Sequence, residues 1–340
     1  MGMKAVQIRE PGNVTLVDRP LPAIVANEVL LQIEALGLCG SDLGSFRGTF
    51  PMVRYPVIPG HEISAIIRSL GTDVPPGLQP GQRVTVIPYQ ACGHCTACAA
   101  GRPNCCRDNR TMGVQRDGAA QEYLAVPHAK VIPAGSLSAE ETACVEPLGV
   151  GWHAVRRLNV RPGETVLVLG CGFVGLGAVA AASFRGAKVL AADIDEGKLR
   201  QAEGLGAAEC IHSAREDLGE RVRAITNGDG VAAVVEAAGL AQTTISAVEA
   251  VSFGGRVALI GYLKGTVPLE TKWFVSKELD VLGSRNATEE DFQEVLEMLS
   301  TGRVDVKPLI SRRYRLEQAG EALAAWDRAP NEVAKILLYP

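Results

Sequence analysis

The sequence predicts an α/β protein with two domains, one β-rich and barrel-like and one built on a doubly wound parallel sheet. Its 340 residues are enough for two domains, and 47% of them are hydrophobic, so each domain can bury a core. The first 148 residues contain short β-type runs broken by Pro and Gly, whereas from about residue 162 apolar strands alternate with helices. This alternation is typical of βαβ units that form a parallel sheet.

Short runs rich in β-branched residues predict the strands of the first domain. They are KAVQI (4–8), VTLVD (14–18), EVLLQIEALG (28–37) and RVTVIPY (83–89). Their short length and the Pro and Gly between them favour a barrel-like arrangement.

The second domain is predicted as a regular series of strands and helices. The strands are ETVLVLG (164–170), KVLAADI (188–194), AECI (208–211), VAAVVEAAG (231–239) and RVALIGYL (256–263). The helices are FVGLGAVAAASFRGA (173–187), DEGKLRQAEGLGA (195–207), REDLGERVRAITNG (215–228) and AQTTISAVEAVSFGG (241–255). Two amphipathic helices (289–302 and 316–329) and a final strand (334–339) follow.

Charge and composition argue against several classes of partner. The formal net charge is −4, so no basic face for nucleic acid or membrane lipid is expected. No apolar run is long enough to span a bilayer, and the N-terminus MGMKAVQIRE lacks an apolar signal core. We therefore expect a cytoplasmic protein with a small-molecule substrate. In that compartment thiols stay reduced, and clustered cysteines more often hold metal than form disulfides.

A G-x-G-x-x-G string lies between the first strand and the first helix of the second domain. It comprises Gly170, Cys171, Gly172, Phe173, Val174 and Gly175. Glycines at these positions permit a tight turn and let the backbone approach a pyrophosphate, which the unpaired N–H groups at the start of the helix then bind. The strand and helix on either side make this string a predicted dinucleotide-binding turn rather than an ordinary Gly-rich loop.

Asp193 ends the next predicted strand, eighteen residues beyond Gly175. A carboxylate at this position hydrogen-bonds ribose hydroxyls and repels a 2′-phosphate, which favours NAD over NADP. Lys198, one helical turn later, could also reach the ribose. The alternative for Asp193 is a helix N-cap, but Asp195 is better placed for that role.

Five of the nine cysteines are crowded into CGHCTACAAGRPNCC, residues 92–106. Cys92, Cys95 and Cys98 are spaced three residues apart, and Cys106 follows eight residues later. Four thiolates in this pattern predict a closed structural zinc site that leaves no position for a substrate. Cys105 competes with Cys106 for the fourth position. The alternative is a set of free thiols or a redox pair.

These features together resemble the zinc-dependent medium-chain alcohol dehydrogenases, and the resemblance covers essentially the whole chain. The matching motifs are GLCGSD (37–42), PGHE (59–62), the four-cysteine lobe, VEPL (145–148) and GCGFVG (170–175). The forms of the first, second and fourth motifs are similar to the polyol and threonine dehydrogenase branch. The strings CTACAAGRPNCC (95–106) and GSRNATEEDF (283–292) are most similar to sugar-acid dehydrogenases of the L-galactonate type.

The resemblance implies a GroES-like β-barrel catalytic domain and a Rossmann NAD-binding domain. The catalytic domain would span residues 1–148 and, after the chain returns to it, 284–340. The Rossmann domain would span residues 149–283. Two zinc ions per chain and assembly as a homodimer or homotetramer are further expectations from the same family.

A catalytic zinc takes three protein ligands and keeps one position open. The resemblance implies Cys39 and His61 as two of them. The third is either Glu146, which stands where other branches have a cysteine, or Glu62, which in this family can enter or leave the zinc's coordination; both stay open here. Asp42 is expected to accept a hydrogen bond from His61 and so to set its tautomer.

Ser41 stands where the family has a hydroxyl that takes up the substrate proton. Relatives commonly carry a His a few residues later, but this chain has Leu43 and Gly44, so we expect water or the cofactor ribose to complete the proton relay. Arg285 and Asn286 resemble residues that border cofactor and substrate, and Arg285 suits a substrate carboxylate.

The predicted function is the NAD- and zinc-dependent oxidation of a secondary alcohol on a polyol, sugar or sugar acid to a ketone. An amino alcohol such as L-threonine is the alternative substrate. The alternative from another class is a relative that binds NAD without turnover. The complete set of candidate zinc ligands favours the enzyme.

Overall fold

The structure is a computed structural model and describes residues 2–340. The chain divides into two compact units. The first comprises the chain up to Glu146 together with Phe292–Gly302 and Val306–Pro340. The second comprises Pro147–Asp291 and Arg303–Asp305. The second unit therefore extends to Asp291, several residues beyond the 283 expected from the sequence. It includes the first residues of the helix that spans 289–300.

The strands are numbered in chain order. They are β1 (Gly2–Glu10), β2 (Asn13–Pro20), β3 (Glu28–Leu38), β4 (Glu62–Leu70), β5 (Arg83–Val86), β6 (Tyr89–Gln90), β7 (Arg110–Thr111), β8 (Tyr123–Pro127), β9 (Val131–Pro133), β10 (Thr165–Leu169), β11 (Lys188–Asp193), β12 (Ala207–His212), β13 (Val231–Glu236), β14 (Val251–Leu259), β15 (Asp280–Gly283), β16 (Ile310–Arg315) and β17 (Lys335–Tyr339).

The α-helices are numbered in the same way. They are α1 (Gly40–Arg47), α2 (Thr96–Ala99), α3 (Ala139–Ala143), α4 (Val145–Arg157), α5 (Phe173–Phe184), α6 (Glu196–Gly204), α7 (Leu218–Ile225), α8 (Ala241–Ala250), α9 (Lys272–Ser276), α10 (Glu289–Ser300) and α11 (Ala319–Arg328). None of the helices within residues 2–340 combines the length and the apolar character needed to cross a membrane.

The first unit is organised around one mixed sheet. Its strands lie in the order β16-β17-β3-β4-β5-β9, and β8 also pairs with β3. All of these pairs are antiparallel except β16 with β17. Every second residue of β3 is buried along most of its length, as expected for a strand with one face on a core. The prediction of a β-rich first domain is confirmed.

The second unit contains a six-stranded parallel sheet in the order β12-β11-β10-β13-β14-β15. Val166, Leu167 and Val168 of β10 are fully buried, which fits a strand covered on both faces. The chain changes direction across the sheet between β12 and β13, so β10 and β13 lie side by side at the switch point. In sheets of this kind ligands bind outside the carboxyl ends of the strands at that point.

Two helices of the second unit, α7 and α8, are shorter in the structure than the sequence predicted. Helix α8 stops at Ala250, and the following VSFGG already belongs to β14. Helix α7 begins only at Leu218, where Asp217 accepts a hydrogen bond from the backbone N–H of Glu220 at 2.7 Å. The capping carboxylate therefore decides where this helix starts.

Candidate metal and dinucleotide sites

Three of the predicted zinc ligands meet in the first unit. Cys39 follows the end of β3 and precedes α1, while His61 and Glu62 stand at the start of β4. The Sγ of Cys39, a ring nitrogen of His61 and a carboxylate oxygen of Glu62 all lie within 4.8 Å of one another. They meet because β3 and β4 are antiparallel neighbours in which Gly37 is opposite Glu62.

A glycine is required at position 37 for this arrangement. A Cβ added to Gly37 would lie 1.9 Å from Oε2 of Glu62. Any side chain there would displace the carboxylate, so the bare backbone of β3 is what lets Glu62 turn towards Cys39.

Glu146, the other candidate carboxylate, lies in the first turn of α4 and is only 3% exposed. Its Oε1 accepts a hydrogen bond from the hydroxyl of Tyr89, which is also buried. Glu146 is outside the group of mutually close ligand atoms, yet it is near enough for its charge to raise the pKa of His61. Both glutamates therefore stand beside His61, and distance alone places Glu62 nearer to the other ligand atoms.

Lys335 holds Glu62. Its Nζ lies 2.6 Å from both carboxylate oxygens and donates to the backbone carbonyl of Leu38 at 3.2 Å. Burial lowers the pKa of Lys335, but the charges of Glu62 and Cys39 and the hydrogen bonds to Glu62 together outweigh burial and raise it. The ammonium of Lys335 is therefore favoured in its charged form, and it compensates the carboxylate of Glu62.

Asp42 has a different role from the one predicted. Its Oδ2 accepts the backbone N–H of Cys39 at 2.8 Å, and its Oδ1 accepts the backbone N–H of Gly60 at 3.0 Å. Within residues 2–340, Nδ1 of His61 has no hydrogen-bond partner. The predicted His61–Asp42 hydrogen bond is therefore not formed, and both oxygens of Asp42 accept backbone N–H groups instead. Asp42 instead ties the Cys39 segment to the segment before His61.

The electrostatics of this cluster suit a cation. Burial lowers the pKa of His61, but the negative charges of Cys39, Glu146 and Asp42 outweigh burial and raise it well above its usual value. Burial raises the pKa of Glu146 and of Asp42. Several buried acids thus surround one imidazole whose Nδ1 lacks a hydrogen-bond partner, and a divalent metal ion would neutralise this set of groups.

Ser41 has a buried Oγ that makes no hydrogen bond in the described chain. It lies in the first turn of α1, two residues after Cys39. A buried hydroxyl without a partner costs free energy unless something else completes it. This position is compatible with the predicted contact to a substrate hydroxyl, which stays a prediction.

The four-cysteine lobe forms a second metal-type cluster in the first unit. The sulfur atoms of Cys92, Cys95, Cys98 and Cys106 lie within 4.8 Å of one another. The Sγ of Cys95 is 3.5 Å from that of Cys98 and 3.9 Å from that of Cys106. Cys105 is not in this group, so the structure selects Cys106 from the two open alternatives.

Backbone hydrogen bonds favour the thiolate form of Cys95, whereas burial and the hydrogen bond with Cys95 raise the pKa of Cys98 to about 12. The backbone N–H of Arg107 is the main cause that lowers the pKa of Cys95, to about 6. An overlapping group joins Cys92 to His94 and Asp108, both exposed. It shares Cys92 with the four-sulfur group, so the two groups cannot both be filled, and four thiolates are the better zinc site.

The predicted dinucleotide turn has the expected local structure. It follows β10, and α5 begins at Phe173 with Gly172 at its N-cap. Gly170 has a φ of 91°, and a Cβ on Gly175 would lie 1.9 Å from the carbonyl oxygen of Gly170. A Cβ on Gly172 would meet nothing within 4 Å, so the N-terminus of α5 is open on that side, as an approaching pyrophosphate requires.

Asp193 is connected to this turn by backbone hydrogen bonds. Its Oδ2 accepts the N–H of Cys171 at 2.7 Å and its Oδ1 accepts the N–H of Asp195 at 3.0 Å. Asp195, not Asp193, caps α6 by accepting the N–H of Lys198 at 2.9 Å. Each oxygen of Asp193 keeps a lone pair, so the carboxylate can still accept hydrogen bonds from a ribose.

A cavity of about 910 Å³ runs along the second unit's sheet, from residues that precede β13 to the dinucleotide turn. Gly170, Asp193, Ala238 and Thr243 are among its lining residues. Its volume is in the range of cofactor pockets. Lys198 and Arg285 are not among the lining residues, and their predicted cofactor contacts stay predictions, as do those of Phe173 and Val174.

Two residues of the first cluster were missed from the sequence. Tyr89 was assigned to a strand, and Lys335 to the last strand, AKILLY. A lysine inside an otherwise apolar strand signals a buried partner, and a tyrosine three residues before the first lobe cysteine was a weaker signal. Neither signal identifies the partner, because Glu62 and Lys335 are 273 residues apart in the chain.

Comparison with known proteins finds a dehydrogenase domain in each of the two units. Residues 25–136 match the sequence model of the alcohol dehydrogenase GroES-like domain. Residues 174–301 match the model of the zinc-binding dehydrogenase domain. Together the two matched ranges cover more than half of the chain, and each falls mainly in one unit.

Individual relatives match over almost the full length. L-galactonate-5-dehydrogenase of Escherichia coli K12 is 36% identical, with 92% of both chains covered. Sorbitol dehydrogenase of Bacillus subtilis 168 is 35% identical, covering 99% of this chain and 97% of the other. A crystal structure of a zinc-binding dehydrogenase from Sinorhizobium meliloti 1021, bound to NADP, superposes with a TM-score of 0.92 at 32% identity and covers both chains completely.

Proposed function

Because this chain belongs to the zinc-dependent medium-chain alcohol dehydrogenases, we propose that it oxidises a secondary alcohol of a polyol, sugar or sugar acid to a ketone and transfers the hydride to NAD. That it is a zinc-binding alcohol or polyol dehydrogenase using a nicotinamide cofactor follows from the family. The observation that carries the proposal is the cluster of half-buried Cys39 with buried His61 and two buried glutamates, in a chain that also has the dinucleotide turn.

The proposed ligands of the catalytic zinc are Cys39, His61 and Glu146. The carboxylate of Glu62 lies closer to the ligand atoms of Cys39 and His61, but the balance of charges favours Glu146 as the third ligand. Lys335 already compensates the charge of Glu62, whereas the partner of Glu146 is the neutral hydroxyl of Tyr89. One thiolate, one neutral imidazole and one uncompensated carboxylate balance the charge of Zn²⁺. When bound, zinc supplies a Lewis acid that lowers the pKa of a substrate hydroxyl.

In this proposal Ser41 takes up the proton of the substrate hydroxyl. Its buried Oγ has no partner in the described chain, which supports this role. Asp42 positions Cys39 through the backbone rather than taking part in proton transfer. The absence of a His at Leu43 or Gly44 leaves water or the cofactor ribose as the next acceptor.

NAD is proposed in preference to NADP because Asp193 stands where a 2′-phosphate would be repelled. The Sinorhizobium structure holds NADP, so family membership alone does not decide between the cofactors. The carboxylate of Asp193 is held in place by two backbone N–H groups, at 2.7 and 3.0 Å.

A second zinc is proposed for the four-cysteine lobe. All four of its ligands would come from the protein, so this site has no open position and its contribution is to the folding of the lobe. None of the nine cysteines forms a disulfide, which fits the proposed cytoplasmic location. Assembly as a homodimer or homotetramer is proposed from the family and is measured by analytical ultracentrifugation.

The test is a screen for NADH formation with polyols, aldonates and L-threonine, each with NAD and with NADP. We expect turnover with a polyol or an aldonate, and none with the Cys39→Ala variant as the control. Selective turnover of L-threonine would replace the substrate proposal with the amino-alcohol alternative. A zinc-loaded protein that binds NADH but turns over no alcohol would identify a non-catalytic relative.

A further inference from the structure

Within residues 2–340, the side-chain hydrogen bond to the carboxylate of Glu146 comes from Tyr89. Its hydroxyl donates to Oε1 of Glu146, and both residues are nearly inaccessible, at 6% and 3% exposure. A carboxylate that accepts a hydrogen bond on one oxygen keeps the other oxygen available for a metal ion. The donor also removes rotational freedom from a side chain that otherwise has three torsions to explore.

Tyr89 itself is fixed by the strand pair at the base of the cysteine lobe. It begins β6, in which it is paired with Thr111 of β7. Cys92 follows three residues after Tyr89, and its backbone N–H donates to Sγ of Cys106 at 3.2 Å. On the other side, the backbone N–H of Met112 donates to the carbonyl of Pro88 at 3.1 Å. The lobe and the hydroxyl donor for Glu146 therefore share one short piece of sheet.

We propose that Tyr89 is a positioning residue that holds Glu146 in the orientation in which it binds the catalytic metal, and that the lobe keeps Tyr89 in place. This inference rests on the proposed function, because it takes Glu146 as a metal ligand. Lys335 and Tyr89 then have complementary roles. The lysine neutralises Glu62, and the tyrosine orients Glu146 without neutralising it.

The test compares Tyr89→Phe with Tyr339→Phe in the zinc-loaded enzyme. Tyr339 is a matched control, because its hydroxyl also donates to a carboxylate of the first unit, Oε1 of Glu140 at 2.7 Å. Tyr339 and Glu140 both lie outside the candidate metal sites. Zinc retained against increasing chelator is measured for each site, and the catalytic site is identified by its loss in Glu146→Ala. Replacement of zinc by Co²⁺ adds a spectroscopic signature of ligand geometry.

We expect Tyr89→Phe to weaken zinc binding at the catalytic site about 10- to 100-fold, as loss of a partner of a metal ligand does, and to shift its Co²⁺ bands. Tyr339→Phe should change neither. In a Glu146→Ala background, adding Tyr89→Phe should have no further effect on zinc retention. Variants with weakened lobe binding, such as Cys98→Ser, should weaken the catalytic site too.

Three outcomes would overturn the inference. Tyr89→Phe could retain zinc as the parent does, with unchanged Co²⁺ bands. It could weaken zinc retention equally with and without Glu146, which would place its action elsewhere. It could lower only the thermal unfolding temperature, which would give the hydroxyl a purely structural role. If instead Glu146→Ala retains both zinc ions, the ligand set of the proposed function fails, and that result is distinct from all three.

Discussion

Lys335 and Glu62 form an ion pair in which both residues are buried, with Nζ 2.6 Å from each carboxylate oxygen. The pair joins the last strand of the chain to the first residue of β4, next to a candidate metal ligand. Such pairs contribute little net stability, because desolvation offsets the attraction between the charges, but breaking one of them leaves an uncompensated charge in the interior.

Lys335→Met should therefore lower the free energy of unfolding by about 3–5 kcal/mol. Lys335→Met combined with Glu62→Gln should be less destabilised than Lys335→Met alone, because no charge is then left unpaired. Urea unfolding of the two variants and the parent measures both effects. Equal stability of Lys335→Met and the parent would mean that Glu62 has another compensating partner, such as a metal ion.

Glu146→Ala should lose the catalytic zinc and keep the lobe zinc, so that the metal content falls from about two ions to about one per chain. Dehydrogenase activity should be lost with the metal. Metal analysis after dialysis and NADH formation measure the two results. Glu62→Gln combined with Lys335→Met, which leaves no buried charge unpaired, is the control and should retain both ions. The reverse pattern would make Glu62 the ligand and Glu146 the spectator.

Asp193→Ser should reduce the preference for NAD. Removal of a charged hydrogen-bond acceptor costs about 1.5–3 kcal/mol, which weakens NAD binding about 10- to 100-fold, while NADP no longer meets a like charge. The ratio of kcat/KM for NAD and NADP measures the change. Asp195→Asn is the control, because Asn still caps α6, and its ratio should equal that of the parent. Equal kcat/KM for NAD and NADP in the unaltered protein would show that Asp193 does not discriminate between the two cofactors.

Asp291 provides a pH prediction away from the metal clusters. It is fully buried in the second unit, where it accepts hydrogen bonds from Nδ1 of His153 at 2.7 Å and from the backbone N–H of Thr288 at 2.7 Å. Burial alone would raise the pKa of Asp291, but these hydrogen bonds outweigh burial and lower it. The folded protein therefore holds the charged form more strongly than the unfolded chain does.

A lowered folded-state pKa means that this stabilisation is complete above the unfolded value of about 3.9 and disappears as the pH falls through the folded value. Asp291→Asn should thus be destabilised by about 1–3 kcal/mol at neutral pH, and the difference from the parent should shrink below about pH 4. Urea unfolding at several pH values measures it, with Asp280→Asn, at an exposed position, as the control. A difference that stays constant down to pH 3 would contradict the argument.

Most of the second unit could be predicted from the sequence, because its information is local. Val166, Leu167 and Val168 form an apolar run that is buried wherever the strand lies in the sheet, and the glycines at 170 and 175 are needed for a turn between adjacent elements. Helix ends were predicted less well. The first or last residue of a helix depends on single capping contacts, such as the hydrogen bond that Asp217 accepts from Glu220. The helical pattern of the sequence continues beyond these contacts, so it does not locate them.

The candidate metal cluster was predicted only as a set of residue types. The motifs around Cys39, His61 and Glu146 identified chemistry that the family places there, and the four lobe cysteines were identified by their spacing. Whether Asp42 bonds to His61 or to the backbone was not determined by these motifs. That choice depends on where the N–H groups of Cys39 and Gly60 point, which is set by the path of the folded chain.

By itself, then, the sequence determined the succession of elements, the glycine turn, the Cys₄ spacing and the family. Only the tertiary structure decided which carboxylate has which partner. Glu62 pairs with Lys335 because β17 lies beside β3, and Glu146 pairs with Tyr89, which the base of the cysteine lobe carries. The physical reason is that a buried carboxylate must find a hydrogen-bond or ion-pair partner in three-dimensional space, and the residues that supply these partners here lie 57 and 273 positions away along the chain.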